Sequence, residues 1–113
     1  MKFFLTQHFK NQLRKLNKKY FHVKEDFFNV FSRLDIENEI SIGRSIYKIR
    51  IKSSDLQKGK SGGFRAYLYC LKQRDLLVPL CIYAKSETES ITESTLQYHF
   101  DQELKELIAG LGL

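Results

Sequence analysis

Between positions 48 and 65 the chain carries six cationic side chains, Lys48, Arg50, Lys52, Lys58, Lys60 and Arg65, against one acid, Asp55. Ammonium and guanidinium groups neutralise phosphate, and Tyr67 and Tyr69 just beyond them offer rings on which exposed bases stack. That combination suits single-stranded RNA. Arg65 stands apart from the lysines. It follows Gly62 and Gly63, which let the backbone bend and leave its two-pronged guanidinium unobstructed for a phosphate. The plainer alternatives are an ion pair for Arg65 and a solvated sheet face for the lysines.

The triplet Gly59-Lys60-Ser61 invites comparison with a nucleotide-phosphate loop, and the comparison fails. The position five before Gly59 is Ser54 rather than glycine, and the segment that follows, FRAYLYCL, alternates at the period of a strand where such a loop needs a helix N-terminus. ATP and GTP binding are therefore excluded, and phosphate of another polymer is left. His99 lies beside the Leu96, Phe100, Leu104 stripe and reads first as a packed helix residue, while His8 and His22 sit at helix edges. Cys70 and Cys81 show no Cys-x-x-Cys and no histidine pair at ligand spacing, so they read as buried thiols of a reducing cytoplasm. No metal and no cofactor is expected.

These cations need strands to hold them. In YKIRIK, residues 47 to 52, Tyr47, Ile49 and Ile51 point one way and Lys48, Arg50 and Lys52 the other. FRAYLYCL returns with Phe64, Ala66, Leu68 and Cys70 on one side and Arg65, Tyr67 and Tyr69 on the other. The next run, LLVPLCIYAK, is apolar enough to be covered on both faces, and Pro79 calls for a bulge or an unpaired edge there. Lys85 shares the face of Arg65 only if the KQRD turn has the right parity: three loop residues would align them, two would not.

Upstream, Lys2 to Leu5 reads as a short strand. Phe9, Leu13, Leu16 and Tyr20 form one face of a helix whose remaining circumference carries Lys10, Arg14, Lys15, Lys18 and Lys19. A second helix from Val23 buries Phe27, Val30, Phe31 and Leu34, and residues 38 to 45 read as a connection. The tail opens with Ser90 and Glu93 at capping-box spacing. It continues as a helix with the stripe Leu96, Phe100, Leu104, Leu107 and Leu111, ending near Gly110. Strand, two helices, three antiparallel strands and a helix make an α+β fold of two layers.

The 113 residues, 42% hydrophobic, fit one domain spanning 1–113, and the net charge of +6 is unevenly placed. Residues 1 to 34 hold eight Lys/Arg and two acids, whereas residues 86 to 113 hold one and six. The opening MKFFLTQHF has too few consecutive apolar residues for a signal peptide, and no run is long enough to span a membrane. A cytoplasmic protein is the expectation.

YKIRI, GKSGGFR and IYAKSE, in this order and followed by a terminal helix, resemble the RelE/ParE superfamily of bacterial type II toxins, in its RelE and HigB branch. The resemblance implies a RelE-like α+β fold, with an N-terminal strand and helical hairpin packed on an antiparallel sheet. It implies a toxin, neutralised by a cognate antitoxin of helix-turn-helix type, that enters the A site of the 70S ribosome and cuts mRNA without a metal. It reaches operator DNA only through the antitoxin, and no membrane is involved. By the same resemblance Arg65 contacts the scissile phosphate, Lys48 and Arg50 are paired basic positions of which either could assist proton transfer, and Lys85 is the motif lysine that completes the expected catalytic set, with Lys60 the loop lysine of the RNA-binding set. Lys52, Lys58, Tyr67, Tyr83 and His99 complete the expected RNA-binding set. The pattern departs at Ser86, where RelE proper has an arginine, and at Ile91 and Thr92, where a tyrosine is found near the start of the last helix. The leaving-group acid is thus open among Tyr83, Tyr98 and His99. The competing implications are a ParE-like poison of DNA gyrase on the same scaffold, or a catalytically decayed toxin acting as co-repressor.

Overall fold

The computed structural model describes residues 1–55 and 62–112. Its elements run β1 (Lys2–Phe3), α1 (Gln7–Asn17), α2 (Val23–Phe31), β2 (Ile40–Ser41), β3 (Ile46–Ile51), β4 (Phe64–Leu71), β5 (Leu76–Ala84) and α3 (Glu93–Leu111). The strands form one sheet in the order β1-β5-β4-β3-β2, antiparallel except for the parallel β1–β5 pair, so the fold is α+β with a mixed sheet. No described helix is long and apolar enough to cross a membrane.

Alternation along the strands sends Ile49, Ile51, Phe64, Ala66, Leu68 and Ile82 to one face, where Phe9, Leu13, Val23, Phe27 and Phe31 of the first two helices pack on them. Burying each large apolar side chain contributes about 1.5–3 kcal/mol. Thr6 starts α1 by accepting a hydrogen bond from Phe9 N at 3.0 Å. Gln12 then acts as a surrogate strand at the edge of β5: its amide donates to Leu80 O and accepts from Ile82 N, both at 3.1 Å.

The opposite sheet face, with Ile46, Tyr67, Leu80, Cys81 and Tyr83, is covered in part by α3 through Leu96 and Phe100. Three local expectations are corrected here. Thr92, not Ser90, caps α3 by accepting from Thr95 N at 3.1 Å, whereas the helix ends near Gly110 as expected, at Leu111, followed by a left-handed Gly112 at φ 70. The segment 38 to 45 contains β2, a two-residue strand too short to show a period. On α3 the inward position belongs to Glu103, 1% exposed, and Leu104 turns outward at 36%.

Glu103 and Glu106 fasten α3 to the start of α1. Glu106 accepts from Gln7 N at 2.7 Å and His8 N at 2.9 Å, where the helix dipole favours a carboxylate, and Thr6 Oγ1 hydrogen-bonds Glu103.

Candidate functional site

Antiparallel pairing sets side chains of like parity beside one another. One rung aligns Arg50 of β3 with Arg65 of β4 and Tyr83 of β5; the next aligns Lys48, Tyr67 and Cys81. The second of these registers depends on a bulge. The KQRD turn spans four residues between the pair Leu71–Leu76, and that parity alone would set Arg65 opposite Ile82. Because Leu68 pairs with Pro79 and Tyr67 with Cys81, Leu80 is left unmatched, and every later residue of β5 moves on by one. Lys85 N then donates to Gly63 O at 2.9 Å, so the shifted backbone register carries on to Lys85, just past the end of β5. The bulge at Pro79, rather than the loop length, settles the parity.

Arg65 is 8% exposed, and its Nη1 donates to its own turn, to Gly62 O at 2.6 Å and Phe64 O at 3.1 Å. Gly62 makes room for this: a Cβ there would sit 3.4 Å from Nη2. Gly63, at φ 62, sharpens the bend. Among the described residues the ion pairs are Lys19–Glu87, His22–Asp55 and Arg44–Glu93, and none of them includes Arg65 or Arg50. Asp55, the one acid of the cationic stretch, is engaged by His22 through both the backbone N at 2.8 Å and Nδ1 at 2.7 Å. Two guanidinium-bearing residues thus stand directly opposite each other with no carboxylate between them, an arrangement that disfavours the fold and favours an external anion.

The aromatic residues line the same face. Lys48 Nζ lies 5.7 Å from the centroid of the Tyr67 ring, which stacks on Tyr83 at 6.5 Å. The Tyr83 hydroxyl is buried close to the Tyr67 side chain, and among the described residues no partner meets it with hydrogen-bond geometry. Burial pushes it up to about 12, with Tyr67 adding to the shift, so at neutral pH it can donate a proton or a hydrogen bond and cannot act as a base. Cys81 is raised to about 12 by burial as well; both cysteines are free, buried thiols. Lys85 Nζ donates to Glu89 O at 2.7 Å.

Not every expected site residue joins this cluster. Lys52 lies beyond the end of β3 and lines a groove of about 610 Å³ with Asn29, Val30 and Asp35, on the α2 side. His99 turns to α1, its Nδ1 2.8 Å from His8 Nε2, and burial lowers it to about 4. Tyr98 is 54% exposed and stands edge-on to His8 at 5.8 Å. Tyr69 packs edge-on against Phe100 at 5.2 Å, under α3. Lys58 and Lys60 lie outside the described residues. Among the described residues no group of three or more His, Cys, Asp or Glu converges as a metal site. Sequence reading missed Gln12, whose strand-edge role stands next to the Leu80 bulge, because a glutamine at a helix flank has no periodic signature.

No family model matches the chain, and no curated protein matches its sequence. Among solved structures, the chain is similar to that of the free-state E. coli toxin RelE carrying two arginine-to-alanine substitutions. The identity is 17%, the match covers 78% of this chain and 86% of that one, and the TM-score is 0.48.

Proposed function

We infer that this protein is the toxin of a type II toxin–antitoxin pair and a metal-independent endoribonuclease that cleaves mRNA on the ribosome. The observation that carries this reading is the rung Arg50–Arg65–Tyr83, two guanidinium residues with no ion pair among the described residues and a protonated phenol on one sheet face, with Lys48 on the next rung. The motif resemblance supplies the reaction class.

In that reaction the RNA 2′-hydroxyl loses its proton and its oxygen bonds to the adjacent phosphorus. The P–O5′ bond breaks, leaving a 2′,3′-cyclic phosphate, and the 5′-oxygen takes up a proton. Charge accumulates on the non-bridging oxygens at the transition state. Arg65 exchanges its bonds to Gly62 O and Phe64 O for these oxygens, and Arg50 approaches from the neighbouring strand. Fixed cations on a partly dry surface stabilise that charge, and the ribosome supplies the alignment of the 2′-oxygen. Tyr83, of the three candidates for the leaving-group acid, is the one that lies on this face.

The test is primer extension on a defined mRNA, with and without translating ribosomes, comparing wild type with Arg65→Ala and Arg50→Ala. Ribosome-dependent cleavage that falls by about 10²–10³-fold in Arg65→Ala is expected. An mRNA left intact by the wild type under every condition sinks the nuclease reading and directs the next assay to DNA gyrase.

A further inference from the structure

Helix α3 buries one side and leaves the other without a partner in the fold. Leu96, Glu103 and Leu107 are buried, whereas Tyr98, Leu104 and Ile108 are 54%, 36% and 41% exposed. Together with Asp101, Gln102 and Lys105, these three line a shallow groove of about 430 Å³ along the helix. A single exposed apolar residue needs no explanation; three beside one groove mark a contact surface.

The order of the six residues says what fits there. Tyr98 and Ile108 lie five positions to either side of Glu103, Asp101 and Lys105 two, and Gln102 and Leu104 one. A second α3 laid antiparallel across the groove, with a two-fold axis level with Glu103, therefore meets this set with the same set. Tyr98 comes against Ile108 of the second copy, Asp101 comes against its Lys105, and the symmetry makes each contact twice. Lys105 is the one cation between residues 93 and 111, and this register brings it to a carboxylate at both contacts. Within one chain that charge is unspent. Asp101 and Lys105 stand four apart, the spacing of an ion pair along a helix, yet neither belongs to an ion pair among the described residues. Asp101 instead accepts from Gln97 Nε2 at 2.9 Å, and both charged residues are exposed.

We propose that the outer face of α3 is a self-association surface, on which two copies of this chain pair antiparallel about Glu103, with Tyr98 packed on Ile108 and Asp101 paired with Lys105 across the axis. A contact one helix wide and roughly 15 Å long falls well below the ~800 Å² per partner that a stable complex buries. The dimer is therefore weak and depends on concentration. It leaves the rung Arg50–Arg65–Tyr83 untouched, because α3 meets that sheet face with its other side, through Leu96 and Phe100. The inference goes beyond the ribonuclease reading and does not depend on it.

Sedimentation velocity over a concentration series of the purified chain, with no RNA present, tests it. The wild type is expected to pass from monomer to dimer as concentration rises. Asp101→Lys and Lys105→Asp each set like charges opposite one another at both contacts, and each is expected to weaken the dimer by at least ~10-fold. An equimolar mixture of the two variants restores opposite charges at both contacts and is expected to recover association. Tyr98→Ala, which removes the ring from both ends of the contact, is expected to weaken the dimer by at least ~5-fold. Circular dichroism establishes that each variant is folded. A wild type that stays monomeric at every concentration overturns the proposal and leaves the face to a different protein. A dimer indifferent to the charge variants, or a mixture that fails to associate, overturns the antiparallel pairing. The mRNA cleavage assay bears on the nuclease reading alone, so the two can fail separately.

Discussion

Arg65 and Tyr83 face each other across β4 and β5 because Leu80 is bulged out of register between Pro79 and Cys81. Proline cannot donate to a ladder, and the sheet accommodates it with one unmatched residue, whose carbonyl accepts from the Gln12 amide of α1 while the same amide accepts from Ile82 N. A feature that looks like a defect in an apolar strand is what brings a phenol beside the candidate phosphate-binding arginine.

The Tyr83 hydroxyl, buried and unpartnered, gives Tyr83→Phe an unusual expected profile. Removing a buried hydroxyl that has no partner is neutral or stabilising by about 0–1 kcal/mol. If the hydroxyl donates to the departing 5′-oxygen, single-turnover cleavage on ribosomes falls by about 10²-fold while Tm holds or rises. Unchanged cleavage would remove Tyr83 from the reaction.

Gly63 is the position where the backbone admits no side chain. At φ 62, a Cβ would come 2.1 Å from Ile51 O and 2.8 Å from Ser53 N, both backbone atoms. Gly63→Ala therefore forces β3 and β4 apart at the rung next to Arg65, at a cost of about 3 kcal/mol or more, combining left-handed strain with the clash. Urea unfolding of Gly63→Ala beside Gly62→Ala measures it. Gly62, whose added Cβ meets only the flexible tip of Arg65, is expected to lose far less stability and to show its effect in cleavage.

The contact between α1 and α3 titrates in two directions. Burial raises Glu103 to about 8, so the native state holds a proton that the unfolded chain releases near 4.5; stability falls as pH rises through that window. Burial lowers His99 to about 4, with His8 opposing its charge, so the unfolded chain takes up a proton first; stability falls as pH drops from about 6.5 toward 4. His8, lowered by burial and by Lys15 and raised by Glu106, adds to the acid limb. Thermal melts from pH 4 to 9 should show a maximum between these limbs. Glu103→Gln is expected to flatten the alkaline limb, by on the order of 2 kcal/mol, and His99→Gln the acid one. A wild-type curve unaltered by either substitution would rule out these groups as its cause.

Much was legible in the residue order because period is a local property. Alternation in YKIRIK and FRAYLYCL divided core from cationic face before any partner strand was known, and the Phe9, Leu13 and Phe27, Phe31 spacings marked helix faces that the structure buries. The two glycines before Arg65 announced the bend that seats its guanidinium. What period cannot report is which strands meet and at what offset. One unmatched residue, Leu80, decided that Tyr83 shares a face with Arg65. Lys52 shares the parity of Lys48 and Arg50 yet lies past the strand end, beside α2, where alternation no longer governs direction. Glu103, which carries no local mark of burial, is 1% exposed and takes its hydrogen bond from Thr6, 97 positions away in the chain. Local sequence thus determined the faces of each element. Tertiary pairing, through one bulge and a few long-range hydrogen bonds, decided which faces and which side chains meet.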